Sequence, residues 1–262
     1  HEFMEYLFQP PFKRLKPAMA AESGDSRDWK AIKSDSLILA ESGNLLLGRL
    51  PEADAADWIK HSVQVRDSGG DLYRAAKAKD YAFRHHVPKW YTDANELIND
   101  PDVNAVYIAT PPSSHEEYTM AVLKAGKPVY VEKPMTIHAA SAEIMMNAVE
   151  EVKGKLSVAH YRRAQPLFKK IKQLVADQAI GEVRFARLSL YKKSYTQQDL
   201  NFEKTAWRVD PALAGGGLFH DLSPHQLDLM YYFLGDPAKA FGFSNNQAGI
   251  YPADDMVTGN IL

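Results

Sequence analysis

The stretch VNAVYIATPPSSHEEYTMAVLKAGKPVYVEKP, residues 103–134, carries the plainest structural signal in the chain. Residues 103–109 are a short apolar run bounded by Asp100-Pro101 and Pro111-Pro112, the mark of a buried strand. Ser113 or Ser114 then supplies a helix cap, and Glu116 and Glu117 stand favourably in the first turn. Tyr118, Val122 and Ala125 share one face of that helix, and Gly126 is a natural stop. Residues 127–132 form a second short strand. Further out, residues 139–152 suit a helix anchored by Ile144, Met145 and Val152, and residues 156–159 suit a third strand. Strand and helix alternating over short links predict a doubly wound parallel sheet, because parallel neighbours need a crossover element.

The signal weakens toward both ends. Residues 1–30, with Pro10, Pro11, Pro17 and the cluster Glu22-Ser23-Gly24-Asp25-Ser26, read as an irregular lead-in. Residues 36–40 suit a short strand, residues 51–60 a helix opening at Pro51, and residues 63–65 a strand end before Gly69-Gly70. After residue 160 the pattern changes. Residues 166–176 suit a helix with Leu167, Ile171, Leu174 and Val175 inward, and residues 182–191 a long strand. A second helix is expected near 224–234, then strands over 238–243 and 256–262. The expected division is therefore a lead-in over 1–30, a parallel-sheet domain with an atypical start over 31–160, and an α+β domain over 161–262. The sheet of this last domain is mostly antiparallel and open, and its end inside a strand implies incompleteness.

With 262 residues, a net charge of −2 and a pI near 6.5, the chain has no basic field suited to nucleic acid or an anionic membrane. It has no apolar run long enough to span a bilayer, and its start shows no basic segment leading into an apolar one, so no secretory leader is expected. Zero cysteines exclude a disulfide framework, a thiolate zinc site and a cysteine nucleophile. These features suggest a cytoplasmic protein whose chemistry uses His, Lys, Asp or a bound cofactor.

Two clusters hold residues suited to chemistry. Glu132-Lys133-Pro134 stands where the second strand meets its loop, and open α/β sheets bind ligands outside the carboxyl ends of their strands. A lysine there can donate to a substrate oxygen and stabilise negative charge on it, or can simply be a surface lysine. The second cluster is GGGLFHDLSPHQLD, residues 215–228. Its glycines permit close backbone approach, and Pro224 suits a first helical turn, with His225 just inside and Asp221 in the preceding loop. His225 and Asp228 lie three apart on one face, and a histidine beside a carboxylate is a candidate general base; a satisfied buried imidazole is the alternative. His220, Asp221 and His225 could also suggest a metal site, but no further ligand cluster converges and none is expected. Arg162-Arg163 could contact an anionic or hydroxylated ligand, and Trp207-Arg208 could form a sugar-stacking platform.

The run Ala109-Thr-Pro-Pro-Ser-Ser-His115, then Glu132-Lys133-Pro134, then the glycine run with Asp221 and His225, resembles the glucose-fructose oxidoreductase, inositol dehydrogenase and MocA (Gfo/Idh/MocA) family over about residues 76–262. The resemblance implies a Rossmann-type domain followed by a mostly antiparallel sheet domain. It also implies NAD or NADP as cofactor and sugars, polyols or inositols as substrates. It places Lys133 as the active-site lysine, with Asp221 and His225 as acid–base partners. Thr110, Pro111, Pro112, His115, Glu132, Lys133 and Pro134 would then serve the cofactor, and Arg162 and Trp207, with the catalytic three, the substrate. It further implies a homo-oligomer, dimer or tetramer, and favours a cis bond at Lys133-Pro134.

One family feature is missing. No G-x-G-x-x-G follows an opening strand; the nearest stretch, LILAESGNLLLG at 37–48, keeps two glycines at another spacing and includes Glu41. Arg66 and Asp67 stand about where a ribose-reading residue belongs, Asp67 favouring NAD and Arg66 NADP. Residues 1–75 are therefore a divergent substitute, a misread segment, or the relic of a lost cofactor site. The last would leave a non-enzymatic regulator that binds a sugar or a dinucleotide without turnover.

Overall fold

The computed structural model describes residues 9–20, 26–48, 51 and 54–262. They form two compact units, His1–Leu97 and Ile98–Leu262. The parallel sheet and everything after residue 160 fall in the second unit.

The described part of the first unit is helical: α1 (Gln9–Ala20), α2 (Ser26–Leu47), α3 (Ala55–Arg84) and the start of α4 (Ala94–Asn99). The strand expected over 36–40 is therefore helix, and so are the expected strand end at 63–65 and Gly69-Gly70. In α2 the buried positions Ile32, Asp35, Ser36, Ala40 and Gly43 recur at helical spacing. Ser36 donates to the carbonyl of Ile32 (2.6 Å), and Arg14 grips Asp35 through Nε (3.0 Å) and Nη2 (2.6 Å). Glycines let α2 and α3 touch at the backbone: a Cβ at Gly69 would stand 2.7 Å from the Ala40 nitrogen. Part of the expected irregular lead-in is α1, packed through Leu15 against Ile32 and Ala76; residues 1–8 and 21–25 lie outside the described residues. The helix expected from Pro51 begins at Ala55.

In the second unit β1 (Val106–Ile108), α5 (His115–Lys124), β2 (Val129–Val131), α6 (Ala139–Glu151) and β3 (Leu156–Val158) build a parallel sheet of order β1-β2-β3. Val106 pairs with Val129 and Val129 with Leu156, as the sequence pattern requires. Successive right-handed crossovers in one direction put both helices on one face. That face buries Val106, Ile108, Val129 and Val131 with Val122 and Leu123 of α5 and Met145 of α6. The opposite face leaves Tyr107 55% and Tyr130 39% exposed, so the strands are buried on one side. Gly126, at φ +72, ends α5 as expected, but Ser114 turns its hydroxyl to Thr110 Oγ1 (2.7 Å) instead of capping the helix.

Beyond β3 come α7 (Pro166–Ala176), the single turns α8 (Gln197–Leu200), α9 (Glu203–Ala206) and α10 (Pro211–Ala214), then α11 (Gly217–Leu234) and the antiparallel pair β4 (Ala240–Asn245) and β5 (Met256–Ile261). Three expectations change here. Residues 182–191 form no strand: among the described residues β4 and β5 pair only with each other, and Phe185 (81%) and Tyr191 (93%) are exposed. No residue of α7 is buried, and Leu167 is 64% exposed. Helix α11 starts seven residues before Pro224, which therefore lies inside it and cannot donate to the carbonyl of His220. Among the described residues no helix is long and apolar enough to cross a membrane.

Candidate active site

The strand register delivers the site. Ile108, Val131 and Val158 are aligned, so Thr110, Lys133 and His160, each two residues further, emerge side by side at the carboxyl edge of the sheet. The Lys133-Pro134 bond is cis, as expected. Across from this row runs α11, and Lys133 reaches it: Nζ donates to the backbone oxygen of Asp221 (2.6 Å) and to Oδ1 (2.8 Å). The lysine and aspartate side chains are only 13% and 17% exposed, so water screens the pair weakly. An ammonium has three N–H groups, and Asp221 takes two of them.

Asp221 serves a second cation. Nε of Arg208 stands 3.4 Å from Oδ2, and its guanidinium lies 4.5 Å over the ring of half-buried Trp207. Asp221 therefore lies within α11, not in a preceding loop, and it holds Lys133 and Arg208. His225 follows one turn later on the same face. It meets the ring of Tyr161 edge-on at 5.5 Å. Burial, then the charges of Arg162, Lys133 and His160, pushes the His225 imidazole below its ordinary range, leaving it neutral near pH 7. Its Nδ1 is buried without a hydrogen-bond partner among the described residues. A Cβ at Gly216 would overlap the ring of His220, which explains a glycine before this helix.

Asp228, 8% exposed, does not partner His225. It accepts from Nε of Arg163 (2.8 and 2.9 Å), and His160 Nδ1 lies 3.8 Å away. Burial lowers His160 as well, against the opposing pull of Asp228. His160 and its neighbour Tyr161 were not singled out in the sequence; their place directly after the third strand, level with Lys133, is the signal that marks them.

Around the strand ends, Glu132 accepts from the Tyr107 hydroxyl (2.5 Å) and from the Lys133 amide (3.1 Å). The bond to Glu132 and burial push the Tyr107 phenol up to about 12. His115 is fully buried, with Nε2 2.9 Å from the carbonyl of Thr110 and Nδ1 3.0 Å from that of Pro134, so it faces the protein interior and not a ligand. Arg162 is half-buried on the turn Tyr161–Ala164, beside His225. Asp67 is exposed within α3 and pairs with Arg66 (2.8 Å); it does not stand at the end of a strand. A concavity of about 250 Å³ at the amino ends of the strands, lined by Pro128, Tyr130 and Lys155 among others, contains none of these residues. No group of three or more His, Asp or Glu among the described residues is arranged to hold a metal ion.

Most of the chain is similar to known proteins. Oxidoreductase P35 of Formosa agariphila is 44% identical over 160 residues, 61% of this chain and 50% of that protein. The 1,5-anhydro-D-fructose reductase of Ensifer adhaerens is 30% identical over 216 residues, 79% of this chain and 62% of that one. A solved levoglucosan dehydrogenase, in complex with NADH and levoglucosan, superposes with a TM-score of 0.60 at 26% identity, over 71% of this chain and 51% of that one. The chain thus spans about half the length of the relatives it matches. Residues 72–160 match the oxidoreductase family with an NAD-binding Rossmann fold, and residues 168–261 match the GFO/IDH/MocA C-terminal domain. These two matches bracket Lys133 on one side and Asp221 with His225 on the other, and the chain belongs to the Gfo/Idh/MocA oxidoreductase family.

Proposed function

We propose that the protein is an NAD(P)-dependent oxidoreductase acting on a secondary alcohol or ketone of a sugar, polyol or inositol. The observation that carries this reading is Lys133, held by Asp221 through two of its three N–H groups, with a neutral His225 one helical turn away.

The nicotinamide side of a dinucleotide fits the carboxyl edge of the sheet, where Thr110, Pro111, Pro112 and Glu132-Lys133-Pro134 would line it; the orphaned Nδ1 atoms of His160 and His225 show that this edge has polar capacity to spare. The described residues form no glycine-rich strand–helix turn, since 26–47 and 55–84 are helix, so no pyrophosphate contact is assigned. The cofactor supplies hydride acceptance and donation at its nicotinamide ring.

In the oxidative direction His225 takes the hydroxyl proton, and its lowered proton affinity keeps it able to do so at neutral pH. The third N–H of Lys133 is left to bond the same oxygen and would stabilise the charge that develops there. Asp221 fixes the lysine. Arg162 and Trp207 flank the substrate. Exposed Phe241, Phe243 and Tyr191 support a homo-oligomer formed through the second half of the chain.

The test is a fluorescence titration of the full chain with NADH and NADPH, followed by nicotinamide absorbance with a panel of sugars, polyols and inositols. Saturable binding with turnover of at least one panel member is expected. Binding without any turnover would favour the regulator, and no binding would remove the enzyme reading.

A further inference from the structure

Past the sheet edge, β1 and β2 are joined by a side chain. The last backbone rung between them runs from the Glu132 N–H to the Ile108 carbonyl (2.9 Å). Beyond it Pro111, Pro112 and Pro134 have no N–H to offer, so the carbonyls of Thr110 and Pro134 need donors from elsewhere. His115, the first residue of α5 and 0% exposed, stands between them, with one ring nitrogen at hydrogen-bond distance from each.

We propose that His115 is the positioning residue for Lys133: it clips the Lys133-Pro134 loop to the Thr110-Pro111 turn and so fixes where the lysine leaves the sheet. The inference rests on the reading of Lys133 as the hydride-transfer lysine. Three restraints meet on that residue. Its amide donates to Glu132 Oε2, its ammonium is taken by Asp221, and the carbonyl of the next residue faces His115. The first two are set within the loop and by α11; the third refers the loop to α5, whose Thr119 and Val122 are fully buried. Both partners are acceptors, so a protonated imidazole bonds both carbonyls, whereas a neutral one bonds one of them and only packs its rigid ring against the other. A flexible amide donates from a single nitrogen and cannot reach both carbonyls.

The experiment reads the lysine directly, on the full chain without cofactor or substrate. Lysines are acylated with a water-soluble succinimidyl ester, and each site is quantified by peptide mass spectrometry. In His115→Asn the Lys133 rate rises by about five- to tenfold, the change that loss of one hydrogen bond's worth of restraint produces, while exposed Lys169 is unchanged. Val122→Ala, a buried change on the same helix that keeps the clip, controls for lost stability and leaves the Lys133 rate within about twofold. Equal protection of Lys133 in His115→Asn, or equal release in Val122→Ala, overturns the proposal. Should His115→Asn fail to fold, the wild-type ring is read by long-range proton–nitrogen NMR. A slowly exchanging His115 N–H supports the clip, and exchange as fast as at exposed His86 overturns it. Because no nicotinamide enters the assay, failure of the clip and failure of the enzyme reading are separate results.

Discussion

Replacing Asp221 with asparagine keeps the shape of the link between the sheet edge and α11 and removes its charge. The bond from Lys133 Nζ to the Asp221 backbone oxygen survives, and so does the packing. What changes is the 2.8 Å ammonium–carboxylate bond, which becomes ammonium–amide, and the 3.4 Å attraction of Arg208. The ammonium keeps the bond charge-assisted, so what is lost is the carboxylate's share of the attraction, about 1–1.5 kcal/mol for a pair intermediate between an exposed and a fully buried one. Arg208 is a third exposed and water can replace its partner, which limits its share to about 0.5 kcal/mol. The sum is about 1.5–2 kcal/mol. Urea denaturation of wild type, Asp221→Asn, Lys133→Met and the double variant forms a cycle in which the lysine–aspartate pair shows a coupling of about 1–1.5 kcal/mol. A coupling within about 0.3 kcal/mol of zero would refute the pair as a structural link.

The pair of Arg163 and Asp228 is asymmetric, with the aspartate 8% and the arginine 45% exposed in its side chain. Arg163→Ala therefore strands a buried carboxylate and costs about 3 kcal/mol, whereas Asp228→Asn frees a guanidinium that water can reach and costs about 1 kcal/mol; equal losses in denaturation would count against this. Burial lowers His160, His220 and His225, so below the unfolded value near 6.5 the unfolded chain takes up protons that the folded chain resists. Stability should be flat above about pH 7 and fall toward pH 5, with a slope of at most about 1.4 kcal/mol per pH unit for each histidine; His225→Gln makes the fall shallower, and a fall unchanged in that variant contradicts the assignment. Gly69→Ala drives a methyl against the backbone of α2 and should lower the melting temperature through a loss of about 1–3 kcal/mol, whereas an unchanged melting curve would mean that the helices do not cross there.

The middle of the chain was legible because its signals agree. Apolar triplets bounded by prolines, a helix ended by Gly126 and short links leave one economical topology, and the three strands pair as that topology demands. The first hundred residues were not legible because their buried face is chemically disguised. In α2 that face carries Asp35, Ser36 and Gly43, satisfied by Arg14, by a carbonyl four residues back and by a crossing helix, so periodicity of apolar residues gives no hint of it. The helix starting at Gly217 was missed for a related reason: Pro224 marks a first turn by its own chemistry, and only the glycines ahead of it let the helix begin earlier. Residues 182–191 have the composition of a strand, but a strand needs a neighbour, and composition does not say whether one is present. At the site, Lys133, Asp221 and His225 were legible as residues, while their pairing was not. Which carboxylate meets which cation depends on the face of α11 turned to the sheet, and that face follows from where the helix starts.

The central claim is hydride transfer at the carboxyl edge of the sheet, and isotope transfer tests it most directly. The full chain is incubated with NADH or NADPH deuterated at the transferable position of the nicotinamide, together with a keto sugar that it turns over, and the product is examined by mass spectrometry. Deuterium on the new carbinol carbon is predicted, formed about 10²–10⁴ times more slowly by His225→Ala. A product without deuterium, or deuterium transfer undiminished in His225→Ala, would contradict the account.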